Sequence, residues 1–63
     1  MRNNLKKLRK ERNLKQIDLA KKIGVTRQSM SYYELGISRP SLDNAKKIAD
    51  ILDCTIEDIF FGN

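Results

Sequence analysis

The chain has no histidine, no tryptophan, one cysteine and one proline in 63 residues. Each shortage removes a class of function. One cysteine cannot close an internal disulfide, and without histidine no thiol–imidazole metal cluster can be assembled. No metal and no cofactor is therefore expected. An enzyme is set aside on the same ground, since there is no histidine and no cluster of carboxylates. Cys54 is read as a small buried hydrophobe rather than a redox thiol. Long apolar runs are also missing. No stretch is long enough to span a bilayer, and the opening MRNNLKKLRK has no apolar signal-peptide core. A cytoplasmic protein is expected. Aromatic residues are few, two tyrosines and two phenylalanines. A chain of this length buries only about 60% of its unfolded surface. Residues 1–63 are expected to form one small domain, stabilised by close helix packing or dimerisation.

What is present is charge and helical punctuation. Thirteen lysines and arginines against eight aspartates and glutamates leave a net charge of +5. That balance favours an anionic partner, nucleic acid before an anionic membrane. Five helices can be marked by their caps. Asn3 or Asn4 can start the first, which runs to about Arg12 with Leu5 and Leu8 inward. The second spans Gln16 to Ile23, where Leu19, Ala20 and Ile23 share one helical face. Gly24 follows, where a left-handed C-terminal cap favours glycine. Thr26 suits the N-cap of a third helix from Arg27 to about Leu35, closed by Gly36. Ser41 begins a fourth to about Leu52, with Leu42, Ala45, Ile48, Ala49 and Leu52 inward. Thr55 begins a short fifth, Ile56 to Phe60, with Asp58 at the positive helix end. No segment alternates with period two, so the expected class is all-α.

Only Gly24-Val25-Thr26 separates the second and third helices. A turn of that length containing glycine holds two helices steeply crossed, as in the helix-turn-helix unit. The following stretch, VTRQSMSYYE, is rich in side chains that make directional hydrogen bonds. If Val25, Met30 and Tyr33 face inward, then Arg27, Gln28, Ser31 and Tyr32 face outward together.

At this point the chain resembles the Xre/Cro/C1-type helix-turn-helix domains of phage repressors and related bacterial regulators. The likeness runs from about Leu5 to Phe60. It is carried jointly by Gln16, Leu19-Ala20, Gly24-Val25, Thr26-Arg27-Gln28-Ser29, Glu34, Gly36, Pro40-Ser41-Leu42 and Ile48-Ala49. The resemblance implies a compact five-helix bundle of the lambda-repressor-like type, with its helix-turn-helix core at about 16–35. It implies a third helix in the major groove of double-stranded operator DNA, and dimers that read two half-sites about one helical turn apart.

By position, Arg27, Gln28 and Tyr32, with Ser31 a turn beyond the first pair, match the base-reading sites. Arginine can hold guanine O6 and N7, and glutamine adenine N6 and N7, through paired hydrogen bonds. Arg27 has phosphate contact as its alternative. Tyr32 departs from the commoner Lys, Gln or Glu. It could meet a thymine methyl, donate to phosphate, or lie over the loop near Ile37. Gln16 matches a phosphate clamp at a helix N-terminus, and Lys15, Thr26, Ser29, Ser38 and Arg39 complete the backbone frame. Lys15 stands where the family often has a serine or threonine cap, a loss of about 1 kcal/mol. Lys46 and Ile51 depart from the usual outer pattern of the fourth helix. The resemblance also implies a structural salt bridge between Arg9 and Glu34. Ile56, Ile59 and Phe60 are expected to be largely core. Ile51, Phe60 and Phe61 are the expected dimer interface. The competing reading is an antitoxin-like module that binds a protein partner and meets DNA secondarily.

Overall fold

The computed structural model describes residues 3–61. Five helices follow in order: α1 (Leu5–Glu11), α2 (Gln16–Ile23), α3 (Arg27–Leu35), α4 (Leu42–Leu52) and α5 (Ile56–Phe60). No strand occurs among the described residues.

Short polar side chains start the helices. Thr26 Oγ1 accepts the Ser29 N–H at 3.0 Å, and Ser41 Oγ accepts the Asn44 N–H at 3.1 Å. Thr55 and Asp58 bond reciprocally, side chain to backbone, at 3.0 and 3.1 Å. Each such cap stabilises its helix by about 1 kcal/mol. At α2 the lysine side chain can accept nothing, and only the return half exists, Lys15 N–H to Asp18 Oδ2 at 3.0 Å. At α1 the flanking residue, Asn4, makes no side-chain cap bond. Asn3 Oδ1 accepts the Leu5 N–H instead, at 2.9 Å. Both asparagines also reach across the fold. Asn3 Nδ2 donates to the Tyr33 carbonyl at 2.8 Å, and the Asn4 backbone N–H to the Ile59 carbonyl at 2.8 Å. The start of α1 is thereby tied to α3 and to α5.

Gly24 closes α2 at φ +81°, and a Cβ there would meet nothing within 4 Å. The demand for glycine is thus one of backbone handedness, which costs other residues roughly 1–2 kcal/mol. This turn sets the path from α2 into α3.

The core draws on all five helices: Leu5, Leu19, Ala20, Ile23, Met30, Tyr33, Ile48, Ala49, Leu52 and Ile59. Helices α2 and α3 pack most extensively on each other, α4 lies against α2, and α5 closes over α1 and α4. Two expectations need correction. Leu42 is 66% exposed rather than inward, and Ile56 and Phe60 are half-buried at the rim of the core rather than within it. Leu42 is the first residue of α4, where a side chain leans back over the preceding loop and past the edge of the core.

Candidate nucleic-acid interface

Helix α3 is divided lengthwise. Met30, Tyr33 and Glu34 are buried and root it in the fold. Arg27, Gln28 and Tyr32 are exposed, with Ser31 half-buried beside them. An α-helix brings residues three and four positions apart onto neighbouring ground. Arg27 thus neighbours Ser31, and Gln28 neighbours both Ser31 and Tyr32, so the four side chains form one polar strip. These are groups that could meet base edges in a groove wide enough to admit a helix.

The strip is organised before any ligand arrives. Gln28 Nε2 donates to the Tyr32 hydroxyl at 2.8 Å. Arg27 Nη1 reaches Gln16 Oε1 at 3.4 Å. Gln16 in turn donates from Nε2 to Glu34 Oε1 at 3.0 Å. The Gln16 amide, expected as a phosphate clamp, is in this structure a link between α2, the buried end of α3 and Arg27. Its backbone N–H lies at the start of α2, among the helix amides without an intrahelical partner.

Beneath the strip lies an ion pair. Arg9 Nε donates to Glu34 Oε2 at 2.6 Å and Nη2 to Oε1 at 3.3 Å, with both residues only 6% exposed. Arg9 Nη1 also donates to the Leu14 carbonyl at 2.6 Å. A buried carboxylate needs such partners, since its desolvation costs several kcal/mol. Here Glu34 accepts from both Arg9 and Gln16, which fixes α1, α2 and α3 to one another at their shared corner.

The remaining residues expected to frame the DNA backbone lie at the start of α2, at the start of α3 and in the loop after it. Thr26 is occupied as a cap, and its hydroxyl donates to Ser29 Oγ at 3.0 Å. Lys15 is exposed at the start of α2, and Ser38 and Arg39 are exposed in the loop after α3. The lone proline, Pro40, leaves that loop.

Of the three residues expected at a dimer contact, Phe60 and Phe61 line one groove and Ile51 does not. The groove, of ≈ 380 Å³, also takes Arg39, Pro40, Leu42, Ala45 and Ile56. Ile51 is half-buried against the core. Leu42 is the apolar contributor that periodicity missed, having assigned it inward. Cys54 is half-buried near the core. Burial raises its thiol pKa, and the Asp58 and Asp53 carboxylates add to this against the opposing charge of Arg12. That direction lowers its thiolate fraction, the reverse of what a reactive cysteine needs.

Among the described residues no His/Cys/Asp/Glu group could hold a metal ion, and no helix is long and apolar enough to cross a membrane.

Comparison with known proteins gives a consistent result. A helix-turn-helix family model matches residues 5–59. An uncharacterised HTH-type transcriptional regulator of Methanocaldococcus jannaschii is 52% identical over 60 residues, covering 95% of this chain and 91% of that protein. Another, from Archaeoglobus fulgidus, is 43% identical over 60 residues, 95% and 84% of the two chains. YqaE of Bacillus subtilis, also an uncharacterised HTH-type transcriptional regulator, is 39% identical over 59 residues, 94% of this chain but 51% of YqaE.

Proposed function

The chain belongs to the Xre/Cro/C1-type helix-turn-helix family, and from that premise we propose that it is a sequence-specific DNA-binding transcriptional regulator acting as a repressor. The observation that carries this is the strip of exposed Arg27, Gln28 and Tyr32 with half-buried Ser31 beside them, on a helix rooted by a buried ion pair. Arg27 and Gln28 read base edges in the major groove. Lys15, the N-terminal amides of α2 at Gln16, and the loop residues Ser38 and Arg39 hold phosphates, with Thr26 and Ser29 at the start of α3. Phosphate contacts set the register on the duplex and base contacts set the sequence. The chain acts as a homodimer on a two-fold operator, with the groove around Leu42, Phe60 and Phe61 meeting its counterpart on a second copy. A repressor of this kind works by occupying its operator in the cytoplasm.

Selection of bound duplexes from a random pool tests this. The wild type should enrich a two-fold-symmetric motif that the Arg27→Ala/Gln28→Ala double variant loses. No motif, with weak salt-sensitive binding retained by the variant, would leave non-specific charge attraction only. A second chain co-purifying through the Leu42–Phe61 groove would favour the antitoxin-like reading.

A further inference from the structure

The contact between Gln28 and Tyr32 carries a consequence for specificity. Tyr32 has the exposure and position of a base reader, but its hydroxyl is not free. It lies 2.8 Å from Gln28 Nε2, one turn back towards the start of α3. Side chains on a helix lean towards its N-terminus, so the ring lies along the helix surface with its tip over the first turn. We infer that Tyr32 is a positioning residue which fixes the Gln28 amide in the orientation that selects adenine over guanine, rather than a reader of a base of its own. This rests on the reading of α3 as the DNA-reading helix.

The argument is one of donors and acceptors. A glutamine amide has two N–H donors and one carbonyl acceptor. With one N–H donated to the Tyr32 hydroxyl, the other N–H and Oε1 remain to face a base. Adenine offers N7 as acceptor and N6–H as donor in the major groove, which that pair matches. Guanine offers two acceptors, N7 and O6, and Oε1 would then face O6, acceptor to acceptor. A phenol hydroxyl both donates and accepts, so the contact holds one amide orientation when the hydroxyl's own proton is given to a phosphate oxygen of the bound duplex. The tyrosine oxygen can then only accept, and turning the amide over to suit guanine would set Oε1 against it and break the present bond. A free glutamine has many rotamers and loses them on binding. Tying it to a phenol that turns about only two torsions makes that ordering smaller when DNA arrives.

Tyr32→Phe keeps the ring and removes only the hydroxyl. The site is on the exposed face, so the melting temperature should stay that of the wild type. The motif selected by wild type, Tyr32→Phe and Gln28→Ala would be compared, followed by competition between duplexes differing by one A·T to G·C exchange. Tyr32→Phe should lower the adenine-over-guanine preference by about tenfold. It should do so at the base pair whose preference Gln28→Ala abolishes. Other positions and the salt dependence should be unchanged. An unaltered preference in Tyr32→Phe would overturn the inference while leaving α3 as the reading helix. A loss at a different base pair would also overturn it, since Tyr32 would then read directly. Absence of any wild-type motif would overturn both the inference and the reading on which it rests.

Discussion

Arg9 is an arginine with no surface to serve. It makes hydrogen bonds to both oxygens of Glu34 and to the Leu14 carbonyl. Removing one member of such a pair leaves the other charged and buried, a cost of about 3–5 kcal/mol. Small domains have total stabilities near the lower end of about 5–15 kcal/mol. Arg9→Ala should therefore lower the urea midpoint severely, whereas Lys10→Ala, one residue along and exposed, should barely move it. Equal midpoints would mean that the pair adds nothing to the fold. The pairing of Arg9 with Glu34 was implied by resemblance alone, because nothing in their spacing dictates it. The third member, Gln16, was not legible at all. Its side chain can meet Glu34 only once the start of α2 has been laid beside the end of α3.

At the scale of the element, α2 is the helix with an incomplete start. Lys15→Ser would supply the missing acceptor for the Asp18 N–H and stabilise the domain by about 1 kcal/mol. It would also remove a cation from the proposed phosphate frame. For every phosphate left without its cation, the slope of log affinity against log salt falls by about 0.9. The variant should thus melt higher and bind operator DNA with a shallower salt slope, two measurements that move in opposite senses. A higher melting temperature with an unchanged slope would exclude Lys15 from phosphate contact. Where helices are punctuated by chemistry, their bounds were legible. Thr26, Ser41 and Thr55 begin helices α3, α4 and α5, and Gly24 and Gly36 end α2 and α3 in the left-handed region. Leu42 was not legible, because periodicity assigns a face without knowing where the core stops. It stands at i to Ala45 and Ala49 yet projects beyond both.

For the whole molecule, the surface proposed for the dimer contact is the groove lined by Leu42, Phe60 and Phe61. Leu42 and Phe61 are each 66% exposed, in a domain with little apolar material to spare. Replacing such residues changes a monomer's stability little, usually within about 0.5 kcal/mol. Leu42→Ser and Phe61→Ser should therefore keep the wild-type melting temperature measured at low concentration. Sedimentation should show the wild type associating with rising concentration and the double variant remaining monomeric. On DNA, the variant should lose the two-fold motif and bind single half-sites weakly. Association unaffected by both substitutions would move the dimer contact elsewhere, with Ile51 the next to test.

The lengthwise division of α3 has an evolutionary consequence. Its anchors, Met30, Tyr33 and Glu34, share no side-chain hydrogen bond with Gln28 or Tyr32. Mutations at those two exposed positions can accumulate with little penalty to folding. A duplicated copy could drift to a new operator through foldable intermediates, each step altering what is recognised and leaving the scaffold in place.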